Sequence, residues 1–184
     1  MLFNDHSSLK NQHAFLSPSS SHWLNYDLAK LDTVYLRMQT VKRGTELHEL
    51  AAQCIRLGVK LPRSNKSLNH YVNDAIGFRM TPEQVLYFSP NAFGTADTIS
   101  FRDNLLRIHD LKTGTTVTSM RQLHVYAALF CLEYRLSPND IGIELRKYQL
   151  NDVEIDIPLA DDIRFVMDKI ILFDKRINTL NLEE

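Results

Sequence analysis

The order of apolar patterns along this chain predicts an α/β fold, a central mixed β-sheet flanked by helices. Three observations carry that expectation. Apolar residues recur at helical spacing toward both ends of the chain. Between about residues 85 and 112 the period changes to short β-branched and apolar runs bounded by turn residues. A further helical stretch then separates these runs from one or two more strands. Helices, three strands, helix, strands and helix is the order of a domain built around one sheet.

Each element has its own signal. The first 20 residues are polar, and Ser17-Pro18-Ser19-Ser20-Ser21 reads as a turn or helix start. Serines just ahead of Trp23-Leu24 suit an N-cap, with a helix following through Leu28, Leu31 and Tyr35. A second helix is expected from about Gly44 to Leu57, because Leu47, Leu50, Ala51, Cys54 and Ile55 share a face and Gly58 fits a stop. Residues 60–82 carry Pro62 and Pro82 and read as a loop with one short helix near Leu68–Ile76. Val85–Phe88, Thr95–Phe101 and Leu105–Lys112 read as strands, the first closed by Ser89-Pro90-Asn91. A helix is expected from about Ser119 to Tyr134, a turn at Ser137–Asp140, and strands at Ile141–Gln149 and Val153–Ile157. The last helix spans roughly Ala160–Leu180.

At 184 residues and 21.3 kDa the chain has the size of one domain. The expected organisation is an N-terminal extension and helix over 1–43, a core over 44–157 and a C-terminal helix over 158–184. Hydrophobic residues at 44% and charged residues at 23% exclude a mainly disordered or fibrous chain. No apolar run approaches the ~18–20 residues of a membrane span, and Met1–Lys10 lacks the apolar stretch of a signal peptide, so a cytoplasmic protein is expected. Two cysteines, Cys54 and Cys131, cannot furnish a four-thiolate zinc or iron–sulfur site and read as small buried hydrophobes. The net charge of −1 gives no hint of a nucleic-acid binder, but it is an average over two unlike regions. Residues 148–184 hold nine acids against four bases, whereas residues 1–147 hold 17 bases against 13 acids.

The sharpest expectation comes from strand register. With Asp103-Asn104 as a two-residue hairpin turn, Asp97 falls opposite Asp110, and Lys112 shares their face. Cross-strand Cβ atoms lie roughly 5 Å apart, so two carboxylates there repel unless a divalent cation such as Mg²⁺ or Mn²⁺ joins them. A slip of one residue would put the two acids on opposite faces. On the following helix Gln122 and Tyr126 share a face, and His48 on the earlier helix is a candidate metal ligand.

In this order, Gly44-Thr45-x-x-His48-Glu49, Gly94-Thr95-Ala96-Asp97, Asp110-Leu111-Lys112-Thr113-Gly114 and Gln122-x-x-x-Tyr126 resemble the RecB-type branch of the PD-(D/E)XK nuclease superfamily. The likeness spans about residues 44–150, and Leu16–Leu24 is similar to the start of a phage and prophage group in that branch. The resemblance implies a restriction-endonuclease-like core. It implies that His48, Asp97, Asp110 and the carbonyl of Leu111 hold Mg²⁺ or Mn²⁺ and that Lys112 is the catalytic lysine. Gln122 and Tyr126 then brace the site and touch the nucleic-acid backbone, with Arg121 beside them. Ala96 stands where the superfamily's name has proline, and the iron–sulfur cluster of some relatives has no cysteines here. The implied activity is metal-dependent DNA hydrolysis, most simply an exonuclease in phage recombination or processing, working as a homo-oligomer or with a phage partner in the bacterial host cytoplasm. The competing expectation is a catalytically silent nuclease fold that binds DNA or a host complex.

Overall fold

The computed structural model describes residues 14–182. The chain divides into two compact units, Met1–Arg43 and Gly44–Glu184. In the first, a 3-10 segment over Pro18–Asn25 is tied back by Trp23, whose indole N–H donates to the Ser17 carbonyl at 3.0 Å. Helix α1 then runs over Leu28–Leu57 without a break. The two helices expected from the sequence are therefore one, and Gly44 sits inside it rather than at its start. Gly58, at φ 68°, ends it as expected.

The second unit holds α2 (Ser67–Gly77), β1 (Thr81–Ser89), β2 (Ala92–Arg102), β3 (Leu105–Leu111), α3 (Arg121–Tyr134), β4 (Gly142–Gln149), β5 (Asp152–Asp156) and α4 (Ala160–Leu180). The strands form one five-stranded mixed sheet in the order β1-β2-β3-β4-β5. All neighbours are antiparallel except β3 and β4, which run parallel because α3 carries the chain across between them. Strand β1 begins at Thr81, earlier than expected, and so includes Pro82; an edge strand tolerates that missing donor.

Alternation along the central strands buries both faces. Leu106 and Ile108 of β3, with Ile143 and Leu145 of β4, join α3 and Ile163 of α4 in one core. Leu111 and Tyr148 point the other way, into a second core with the C-terminal part of α1 and with α2. Cys131 lies in the first and Cys54 in the second, both free thiols. The sheet is thus a middle layer, and its chemistry-bearing residues collect where β2 and β3 leave the hairpin ladder.

Candidate active site

The register expected from the turn is present. Asp103 and Asn104 have φ of 50° and 59°, the left-handed pair that a tight two-residue hairpin requires. Ladder pairs run from Arg102↔Leu105 to Thr98↔His109, so the next step brings Asp97 toward Asp110. The two carboxylates do not simply abut, however. Asp97 Oδ2 accepts the Leu111 N–H at 2.9 Å and lies 3.3 Å from His48 Nδ1 of α1. Asp110 Oδ1 accepts from Lys112 Nζ at 3.0 Å. The Leu111 peptide enters the site by its N–H.

Gln122 and Tyr126, one turn apart on α3, close the arrangement as expected from their spacing. Lys112 Nζ donates to Gln122 Oε1 at 2.7 Å, and the Gln122 amide donates to the Tyr126 hydroxyl at 3.3 Å. That hydroxyl donates to the Thr95 carbonyl at 2.6 Å. Gly94 lets the ring approach: a Cβ there would stand 3.1 Å from Tyr126 Cε1. A continuous chain of contacts therefore runs from Asp110 through Lys112 and Gln122 to Tyr126 and back to β2. Arg121 does not join it and opens instead onto a groove against α4.

The electrostatics follow from burial. Asp110 is 2% exposed, and its Oδ2 has no hydrogen-bond partner among the described residues. Burial raises its carboxyl above the ordinary range, the Asp97 charge adds to the rise, and Lys112 opposes it. The hydrogen bond to Asp97 raises the His48 imidazole, burial pulls it down, and the charges of Asp97, Asp110 and Glu83 push it up again.

Three features here go beyond what the sequence predicts. Glu83 is flanked by the pairs Pro82↔Thr98 and Gln84↔Ala96, which set it opposite Asp97 on the edge strand. Its φ of 53° is strained for a non-glycine residue, and partial burial together with Asp97 raises its carboxyl. A Pro90-Asn91 turn alone would set Glu83 opposite Thr98; the register shift between Tyr87 and Ser89 moves it to Asp97, and no turn residue announces that shift. Second, Gly44 and Thr113 meet: a Cβ on Gly44 would lie 2.8 Å from Thr113 Oγ1, so the glycine seats the loop after Lys112 against α1. Third, Lys147 and Gln149, only 4% and 5% exposed, hold that same loop from β4. The Gln149 amide donates to the carbonyls of Gly114 and Thr116 and accepts from Thr118 N–H and Oγ1. Lys147 Nζ donates to the Thr118 carbonyl and pairs with Glu154. Half of β4 is polar or charged, so nothing in its sequence singles out Lys147 and Gln149 as the buried ones.

His48, Asp97 and Asp110 are oxygen and imidazole donors of the kind a hard divalent cation takes, and the unpartnered Asp110 Oδ2 is the atom most in need of one. The side chains meet as pairs, and among the described residues no three of His, Cys, Asp and Glu already stand together as a ligand group. Comparison with family models, with curated proteins and with solved structures found no match.

Proposed function

We propose that this chain is a divalent-metal-dependent nuclease that hydrolyses DNA phosphodiester bonds, an exonuclease in phage DNA recombination or processing, on a restriction-endonuclease-like core. The observation that carries the reading is Asp110: a buried carboxylate with one oxygen lacking a partner among the described residues, set between Asp97 and Lys112. A carboxylate in that position gains charge compensation that protein groups supply only on one side.

His48, Asp97, Asp110 and the backbone carbonyl of Leu111 are the groups that would hold Mg²⁺ or Mn²⁺, which supplies positive charge for the phosphate oxygens and acidifies the attacking water. The protein's own contribution is orientation. Lys112, fixed between Asp110 and Gln122, presents its remaining N–H toward a phosphate or the attacking water. Tyr126, anchored on the Thr95 carbonyl, keeps Gln122 in the rotamer that holds Lys112. The loop pinned by Gly44 and Gln149 fixes the chain immediately beyond the lysine. Host cytoplasm as the location, and a homo-oligomer or phage recombination partner to give processivity, belong to the same reading. No helix among the described residues is long and apolar enough to cross a membrane.

A second reading, a silent nuclease fold that binds DNA or a host complex, draws on one observation: His48 and Lys112 are each already engaged by a carboxylate. One experiment separates the two. Linear and closed circular DNA are incubated with the protein and Mg²⁺ or Mn²⁺. Loss of linear DNA, abolished in Asp110→Ala and Lys112→Ala, is the expected result. DNA binding without cleavage in either metal would establish the second reading, and cutting of closed circles would make the enzyme an endonuclease.

A further inference from the structure

Helix α3 serves two surfaces. Gln122 and Tyr126 belong to the site, while Arg121 and Val125, one position back, lie on the adjacent stripe of the same helix. That stripe forms one wall of a groove of about 330 Å³, whose lining is Arg121, His124 and Val125 from α3 with Asp162, Phe165 and Val166 from α4. The volume is at the small end for an organic ligand. Its walls are mostly apolar, and Phe165 exposes 64% of its surface.

The charges in the groove are not equivalent. His124 Nε2 is 2.6 Å from Asp156 Oδ2, so the ring is fixed and that carboxylate is matched. Asp162 accepts the Leu159 N–H at 3.2 Å and caps its own helix. Lys169 lies 5.6 Å from the Phe165 ring centre. The Arg121 side chain has no hydrogen-bond or ion-pair partner among the described residues. An unpaired guanidinium, an exposed aromatic ring and an apolar floor therefore stand together, one residue along α3 from the glutamine that holds Lys112.

We propose that this groove takes one unstacked base of the substrate strand, stacked on Phe165, with Arg121 on the adjoining phosphate. The proposal rests on the nuclease reading and deepens it: the substrate class becomes nucleic acid with an unpaired end or single strand. An aromatic ring beside a cation is the sequence-tolerant way to hold a single base, because every base has a π-face. A fully stacked duplex offers no base to such a groove.

The test uses the full chain carrying Lys112→Ala, which blocks cleavage, and anisotropy of a labelled single-stranded oligonucleotide against a blunt duplex in Mg²⁺. Adding Phe165→Ala weakens single-strand binding by about tenfold and leaves duplex binding in place. Phe165→Trp restores it and shows indole quenching on binding. A series of oligonucleotides with one abasic position contains one that loses the same factor against the Phe165 protein and nothing further against Phe165→Ala. Phe165 is exposed, so melting curves should agree among the variants. Equal loss on single strand and duplex, or no abasic position that matters, overturns the proposal. So does a change of oligomeric state in Phe165→Ala, which would mark the ring as a protein contact. If hydrolysis depends on Asp110 and Lys112 but not on Phe165, only this inference fails. If no form binds or cleaves nucleic acid, the nuclease reading fails and this one with it.

Discussion

Replacing Gln149 by glutamate changes one NH₂ group to an oxygen and nothing in the side chain's length. Its consequence is calculable because every hydrogen-bonding position of that amide is used. Gln149→Glu removes the donations to the Gly114 and Thr116 carbonyls and turns a carboxylate toward both. Each lost bond is worth about 1 kcal/mol net, and the new carboxylate oxygen, on a side chain only 5% exposed, is left as an unsatisfied acceptor at about 1–3 kcal/mol. The bonds from Thr118 strengthen toward the new charge and return part of this. The expected loss is about 2–4 kcal/mol, a fall in Tm of roughly 5–15 °C for a chain of this size. Thermal unfolding followed by circular dichroism reads the first part. Amide exchange across residues 113–120 reads the second, since the loop should lose protection before the sheet does. A variant melting within about 2 °C of the parent, with unchanged exchange in that loop, would refute the claim that Gln149 holds it.

Two further outcomes follow from other contacts. Gly44→Ala should destabilise by about 1–2 kcal/mol, because its Cβ would meet Thr113 Oγ1 at 2.8 Å. In a Thr113→Ala background the nearest atom is the Cβ of residue 113 at 4.0 Å, an ordinary contact, so the same change should instead stabilise by up to about 1 kcal/mol through helix propensity; additive denaturation midpoints would contradict this. His109 is held neutral inside the sheet, its pKa lowered to about 3 by burial and by Arg146 and Arg107. The unfolded chain takes that proton near pH 6.5, so stability falls as pH drops from 6.5 toward 3, by several kcal/mol in all. His109→Phe should flatten that acid limb in urea titrations at pH 7, 5 and 4, and parallel curves for the two proteins would exclude His109 as its source.

What the sequence made legible was local. The hairpin turn at Asp103-Asn104 sets its own register, so the approach of Asp97 to Asp110 followed from two residues and the period of a strand. Gln122 and Tyr126 followed from helix spacing for the same reason. Helix α1 did not, since a glycine in an apolar period ordinarily marks an end and only the Thr113 contact explains it as an interior residue. Gln149 and Lys147 reach loop residues about 30 positions earlier, and Glu83 owes its position to an irregular backbone on an edge strand. Partners that meet only through the order of strands leave no periodic trace.

The parallel join of β3 to β4 also sets a timetable. The meander β1-β2-β3 needs only neighbouring residues and can zip up as soon as it leaves the ribosome, whereas β4 must wait until α3 has been made and has crossed the sheet. Until then the acids and the lysine exist, but the loop between them and α3 has nothing behind it. A nascent or truncated chain ending before Gln149 would thus carry the acids and the lysine without the strand that holds their loop, and the arrangement would be completed with the last strands rather than with the first.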